Sequence, residues 1–179
     1  MQITTKTSKI LADEHQNILK VIDSLNNECD AIESGKEINK EFLTKAIDFI
    51  RNYADRFHHA KEEDILFKEF VKKTEENDGC IHCNPVEQML VEHDGGRNFV
   101  KQMEQGVKEN NKEKAIEGTR GYTRLLQEHI FKEDNILYPM ADEALDKKVQ
   151  DNMLKKFKKI EKERSKDKEK YEKFAKNLK

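Results

Sequence analysis

The sequence predicts an all-α protein, and three features of the chain support this prediction. Its 179 residues are enough for one domain with a hydrophobic core. Glycine occurs only 7 times and proline only 2 times, while residues that favour helices are abundant. Apolar residues recur in alternating steps of three and four, which is the spacing of one helix face. We therefore expect an up-down antiparallel four-helix bundle with a C-terminal helical extension.

Helix-breaking residues divide the chain into five predicted helices. Gly35, residues 77–79 and residues 110–111 mark the ends of the first three. Pro85 suits the first position of the third helix, and Pro139 predicts a kink or break in the fourth. The helices are expected at residues 8–34, 39–74, 85–110, 112–145 and 146–178.

The charge and hydropathy of the chain limit its function class. Lys and Arg (34) nearly balance Asp and Glu (36), which gives a formal net charge of -2 and no indication of a nucleic-acid-binding protein. Hydrophobic residues make up 35% without a long apolar run, so no membrane span is expected. The N-terminal segment lacks the apolar stretch of a secretory signal, and the 3 cysteines suit reduced thiols. We expect a cytoplasmic protein.

Each of the four predicted bundle helices carries a histidine on its apolar face. On the second and fourth helices a glutamate follows after four residues, about 6 Å further along the same face. A buried carboxylate without a partner is costly, so each must be paired, protonated or metal-bound. The same faces contain Leu90 and Ile136, which we expect to be buried. The inward-facing donors are His15, His58, His93, His129, Glu62 and Glu133.

The two histidine–glutamate pairs belong to a longer repeated motif. The segment HHAKEEDILF, which begins at His58, aligns with HIFKEDNILY, which begins at His129. Imidazole and carboxylate donors without a thiolate suit iron, manganese or zinc. Two glutamates from separate helices can each bridge two ions. The sequence therefore predicts a dinuclear site, with iron as the first choice and zinc or manganese as possible substitutes.

Three segments and a short N-terminal motif resemble hemerythrin-like (HHE cation-binding) domains. The segments are FIRNYADRFHHAKEEDILF, VEQMLVEHDGGRNFV and YTRLLQEHIFKEDNILYPMAD, and the N-terminal motif is DEH. The resemblance covers residues 8–143 and implies a bundle that binds two iron ions. It implies that the four apolar-face histidines are terminal ligands and that Glu62 and Glu133 bridge the irons.

The sequence departs from this family at two positions. Met89 stands where oxygen-carrying hemerythrins have a further histidine, one turn before His93. His59 is the candidate replacement, because some hemerythrin-like relatives recruit the residue after the second-helix histidine. The alternative is that His59 is a solvated or outer histidine. Lys68 stands where relatives often have proline, which affects helix geometry more than chemistry.

The resemblance implies reversible binding of dioxygen, or reaction with peroxide or nitric oxide, without selecting one. We expect a metal- and oxygen-binding protein rather than a dedicated enzyme, and no catalytic residue is predicted. An iron or redox sensor and a metal-stabilised interaction bundle are the alternatives. In each case residues 1–145 form the metal-binding bundle. Residues 146–179 form a charged helix that packs on the bundle, extends from it or mediates a possible homodimer.

Two further motifs leave alternatives open. Cys80 and Cys83 form a CxxC motif before the third helix, which is either a thiol switch or an ordinary reduced pair. Gly95 and Gly96 follow His93 inside a predicted helix, where two glycines cost about 2 kcal/mol. They either leave room for a small ligand near the metals or mark a kink without a role.

Overall fold

The computed structural model describes residues 2–76 and 85–178, and its regular structure there is entirely helical. The all-α prediction is therefore confirmed. None of the helices in these two ranges is long and apolar enough to cross a membrane. Cys80 and Cys83 lie outside the described residues, so the interpretation of the CxxC motif stays a prediction.

Eight α-helical and three π-helical segments follow one another along the described residues. Polar side chains cap several of them: Thr5 accepts from the Ser8 amide, and Asn111 accepts from the Lys114 amide. The order is α1 (Lys6–Glu33), α2 (Lys40–Phe49), π1 (Ile50–His59), π2 (Glu62–Leu66), α3 (Phe67–Glu76), α4 (Val86–Glu109), α5 (Lys112–Lys132), π3 (Glu133–Leu137), α6 (Tyr138–Ala144), α7 (Lys147–Glu163) and α8 (Ser165–Lys176).

Helix ends agree closely with the predicted breakers, with two corrections at prolines. Gly35 with φ 99° and Asn110 with φ 56° adopt the left-handed conformation that ends helices. α4 begins at Val86, so Pro85 lies at the N-cap rather than at the first helical position. The fourth predicted helix has no break at Pro139 but continues to Ala144. It changes from π3 to α6 just before this residue, so Pro139 lies in the first turn of α6, where a missing N–H is tolerated.

The π-helical segments shift the inward face by about one residue. Ile136 lies in π3 and is 46% exposed, while its neighbour Leu137 is 1% exposed. The expectation that Ile136 is buried assumed an uninterrupted α-helical period and is wrong for this reason. In α4, Leu90 is 40% exposed, whereas Met89 is 2% exposed. The core-facing side of this helix continues from Val86 to Met89, three residues later, and not to Leu90, four residues later. The prediction for Leu90 is also wrong.

The charged C-terminal region forms two helices instead of the single helix expected. α7 and α8 are separated at Arg164, whose backbone leaves the helical region. Met153 and Phe157 of α7 pack into one apolar cluster, whereas Tyr171 and Ala175 of α8 pack into another. Because of this break, the few apolar side chains of α7 and α8 can pack on both clusters.

The core consists of two apolar clusters. We call them the larger cluster, which contains Ile18, Phe57 and Leu126, and the smaller cluster, which contains Leu11 and Leu137. Along α1, His15 lies between Leu11 of the smaller cluster and Ile18 of the larger cluster. A polar layer therefore lies between the two clusters, with apolar side chains above and below it.

α4 and α5 approach each other closely at two glycines. A Cβ atom added to Gly118 would lie 2.4 Å from the backbone nitrogen of Met103. A Cβ atom added to Gly106 would lie 2.4 Å from the backbone nitrogen of Ala115. Because the opposing atoms are backbone, neither contact can be relieved by a side-chain rotation.

Gly118→Ala is expected to lower the free energy of unfolding by about 1–3 kcal/mol, because the added methyl group forces the two helices apart. Gly96→Ala is the matched control, since its Cβ would meet side-chain atoms at 3.8 Å. The control should leave stability unchanged or raise it by up to about 1 kcal/mol through helix propensity. Urea denaturation of both variants measures this difference, and equal stabilities would contradict the close approach.

Candidate metal centre

The polar layer collects histidine and glutamate side chains from α1, π1, π2, α4, α5 and π3. Its members are almost fully buried, with exposures between 0% and 6%. The structure brings together all residues for which a ligand role was predicted, which are His15, His58, His59, Glu62, His93, His129 and Glu133. Their role as ligands stays a prediction that the next section develops.

These donors form two groups, and within each group the candidate ligand atoms lie within 4.8 Å of one another. His15 and His58 belong to one group together with Glu133. His59, His93 and His129 belong to the other. Glu62 is common to both groups, so one carboxylate lies where it could contact two ions.

The paired imidazoles have a spacing that suits metal ligands. The Nε2 atoms of His15 and His58 lie 2.9 Å apart. Those of His93 and His129 lie 3.0 Å apart. Two nitrogens bound at about 2.1 Å to one ion, at right angles, would be separated by about 3.0 Å. Each pair therefore already has the separation of neighbouring ligands on one ion.

Glu133 also faces both groups, although only the atoms of the first group all lie within 4.8 Å of it and of one another. Its Oε2 lies 3.3 Å from His15 Nε2, and its Oε1 lies 3.1 Å from His129 Nε2. Glu62 Oε2 lies 3.6 Å from both His58 Nε2 and His93 Nε2. Both carboxylates thus lie between the two histidine pairs, as a bridging role would require.

Several of the buried carboxylate oxygens lack a hydrogen bond. Within the described residues, Glu62 Oε2 and both oxygens of Glu133 have no hydrogen-bond partner. Glu62 Oε1 accepts from the Tyr138 hydroxyl at 2.5 Å. Buried polar atoms are almost always satisfied in folded proteins, so these oxygens are candidate ligands for a cation.

A second ring of carboxylates accepts hydrogen bonds from the outer nitrogens of the imidazoles. His58 Nδ1 is 2.9 Å from Glu14, and His129 Nδ1 is 2.8 Å from Glu92. The remaining two contacts of this kind are His15 Nδ1 to Asp134 at 2.9 Å and His93 Nδ1 to Glu63 at 2.7 Å. Such contacts orient the inner Nε2 atom and raise its basicity as a ligand.

Cationic side chains hold this outer ring in place. Lys61 is fully buried, pairs with Glu14 and lies 4.0 Å from the centre of the Phe57 ring. Lys132 pairs with Glu92 in the same way. A buried lysine is expensive without an anion, so Lys61 and Glu14 stabilise each other.

Arg97 pairs with two carboxylates beside the second group. Its guanidinium donates to Asp55 Oδ1 and to Glu63 Oε1, each at 2.7 Å. The hydrogen bond to His93, together with Arg97, lowers the pKa of Glu63 to about 2. Glu63 is therefore a carboxylate at neutral pH and orients the His93 ring through its outer nitrogen.

The centre is built twice, with an approximate internal symmetry. Glu14-His15 in α1 corresponds to Glu92-His93 in α4. The stretch from His58 through Lys61 to Glu63 corresponds to the stretch from His129 through Lys132 to Asp134. The carboxylate–imidazole contacts and the lysine–glutamate pairs of the first half have equivalents in the second half.

Two positions break this symmetry. His59 corresponds to Ile130, so only the second group has a third histidine, and its ring stacks on His93 at a centroid distance of 3.8 Å. Tyr138 corresponds to Phe67, so only one half carries a hydroxyl near the glutamates. Met89, at the position of the missing family histidine, packs in the smaller cluster.

The pKa values show how the centre carries its charge without an ion. Burial and the neighbouring Glu133 raise the pKa of Glu62 well above its usual value. Burial alone would lower the pKa of His15, but contacts with Asp134 and Glu133 raise it to about 9. Burial would also lower the pKa of His129, but the contacts with Glu133 and Glu92 raise it to about 9. Protons on these two imidazoles supply positive charge that divalent ions could replace.

Sequence reasoning missed the outer residues. Glu14, Lys61, Glu92 and Lys132 each directly precede a predicted ligand, so a repeated Glu-His and Lys-Glu pattern was available as a signal. Tyr138 is buried and donates a hydrogen bond to Glu62.

Comparison with known proteins gives one match. The family model described as Hemerythrin HHE cation binding domain matches residues 6–141, which is about three quarters of the chain. No curated protein and no solved structure matches the chain. The matched range contains every histidine and glutamate of the two donor groups.

Proposed function

This chain belongs to the hemerythrin HHE cation-binding family, and we propose that it binds two iron ions and uses them to bind or react with a small oxidant. Dioxygen is the first candidate, with peroxide or nitric oxide as related ligands. The observation that carries this proposal is the pair of donor groups that share Glu62. Zinc or manganese could replace iron, because the donors are nitrogen and oxygen atoms only.

The charge of the layer supports two divalent ions rather than one. Glu62 and Glu133 contribute two inner carboxylates, and the outer ring contributes more anions than its lysines and arginine offset. With neutral imidazoles, the layer therefore has an excess of negative charge between apolar clusters. A pair of divalent cations offsets this excess and gives each unpartnered carboxylate oxygen a partner.

The two groups differ in how completely the protein fills the coordination of an ion. The second group offers three histidines, whereas the first offers only His15 and His58 with the shared glutamates. An ion in the first group would keep positions open for a small ligand. The hydroxyl of Tyr138 lies 3.4 Å from His15 Nε2; because it donates its proton to Glu62, it could accept a hydrogen bond from a protonated ligand.

An iron pair would supply reversible redox chemistry, and the protein would control access to it. The apolar clusters on both sides exclude bulk water, which limits hydrolysis and uncontrolled oxidation. Tyr138 donates its proton to Glu62, and the outer carboxylates orient the imidazoles by accepting from their outer nitrogens. We propose residues 1–145 as an up-down bundle for this centre and residues 146–179 as an arm that packs on it. A cytoplasmic location and a homodimer stay predictions.

Glu62→Gln is expected to reduce bound metal from two ions per chain to one or none, because the neutral amide cannot bridge. The melting temperature of the metal-free protein should not fall, since burial penalises the carboxylate that is removed. Glu128→Gln, an exposed position on α5, is the matched control and should keep two ions. Elemental analysis and thermal denaturation measure both quantities.

Retention of two ions by Glu62→Gln would contradict the bridging role. A lowered melting temperature of the metal-free variant with unchanged metal content would instead support the interaction-bundle alternative, in which Glu62 is structural.

Protein loaded with Fe²⁺ under anaerobic conditions is expected to change its visible absorption when dioxygen is admitted. If binding is reversible, removal of dioxygen should restore the original spectrum. The zinc-loaded protein is the control, since zinc has no redox chemistry and should show no change. A di-iron protein that gives no spectral response to dioxygen, peroxide or nitric oxide would contradict the proposed reactivity while leaving metal binding intact.

A further inference from the structure

A cavity of about 250 Å³ lies beside the His59 side of the polar layer, between π1, α4 and α5. It differs from the space between the glutamates, because neither Glu62 nor Glu133 lines it. The lining residues that matter here are Arg56, His59, Gly96, Val100, Lys101 and Tyr122.

Two buried polar atoms on the wall of this cavity lack partners. The hydroxyl of Tyr122, in a side chain 3% exposed, has no hydrogen-bond partner among the described residues. His59 Nδ1 is also unpartnered, and its nearest carboxylate, Asp55, lies 3.6 Å away, beyond a hydrogen bond. A buried hydroxyl left unpaired costs free energy, so a ligand that pairs with it gains affinity.

The charges around the cavity favour an anion. Four of the lining charges have partners: Arg51 pairs with Glu104, Arg97 and Asp55 pair with each other, and Glu92 pairs with Lys132. Arg56 and Lys101 are exposed, and neither has a carboxylate within ion-pairing distance in residues 2–76 and 85–178. These two cations leave an uncompensated positive charge on the cavity lining.

The size and apolar surface of the cavity favour an organic ligand. A cavity of about 150 Å³ is enough to hold benzene, so this one admits a six-carbon ring with polar substituents. Ile50, Val100 and Leu126 supply apolar wall. Gly96 leaves space there, because a Cβ at this position would meet only side-chain atoms at 3.8 Å.

We propose that this cavity binds a small organic carboxylate about the size of a benzoate, directly beside the metal centre. Its ring packs on Val100 and Leu126. Its polar substituent pairs with the Tyr122 hydroxyl, and its carboxylate interacts with Arg56 and Lys101. The inference goes beyond the proposed metal chemistry and does not depend on it, since none of these contacts needs an ion.

The test uses the full chain, both zinc-loaded and metal-free, with 4-hydroxybenzoate as the probe in isothermal titration calorimetry. Saturable binding of one probe per chain is expected in both forms. Gly96→Leu, which fills the cavity, should abolish binding, whereas Gly96→Ala should retain it. Tyr122→Phe should weaken binding about tenfold, through the loss of one hydrogen bond.

The neutral isostere 4-hydroxybenzamide tests the role of charge. It should bind about three- to fivefold more weakly than 4-hydroxybenzoate, the scale of an exposed charge contact. Lys101→Gln should remove most of this difference in affinity between the two probes. Lys108→Gln is the matched control, because Lys108 is exposed on the same helix outside the cavity, and it should keep the difference.

Failure of the probe to bind at millimolar concentration, or equal binding by the Gly96→Leu variant, would overturn the proposal. Equal affinity for the two probes would overturn the assignment of an anion. Binding of 4-hydroxybenzoate by Glu62→Gln protein that has lost its metal would support the cavity proposal independently of the metal proposal. Failure of protein with intact metal content to bind the probe would overturn the cavity proposal and leave the metal proposal unaffected.

Discussion

Two glutamates and five histidines buried in one layer between apolar clusters are the constraint on which the rest of this structure depends. Carboxylates in such a place cost several kcal/mol each unless positive charge accompanies them. The chain supplies part of this charge through protons on His15 and His129, whose pKa values are raised to about 9. It leaves Glu133 and one oxygen of Glu62 without hydrogen bonds in the described residues. Cation binding resolves this imbalance, which explains why a family of cation-binding domains matches the chain.

The outer ring of charges follows from the same constraint. For four of the five imidazoles, a carboxylate on Nδ1 fixes the orientation in which Nε2 faces the centre. Glu14 and Glu92 each pair with a lysine, and Lys61 is buried for this reason. Both halves contain a lysine–glutamate pair of this kind, but His59 and Tyr138 make the two halves chemically different. That difference gives the second group a third histidine, while the hydroxyl lies beside His15 of the first group.

The inner residues could be predicted from the sequence because helical periodicity and the repeated HxxxE motif point to one face of each helix. His59 could be proposed only through the family resemblance, since consecutive residues of an α-helix point about 100° apart. The wider turn of π1 lets both His58 and His59 face the centre, and no sequence pattern signals a π-helix. The same π register explains why Ile136 is exposed. The break at Arg164 depends on the position of two apolar clusters that only the folded chain creates.

Anomalous diffraction at the iron edge, from crystals of protein loaded anaerobically with Fe²⁺, tests the proposed dinuclear centre most directly. Two peaks are expected within the polar layer. One should lie beside His15 and His58, the other beside His59, His93 and His129, and both should contact Glu62. A single peak, peaks outside the layer, or an iron-free layer in which the same side chains pair with one another would contradict it.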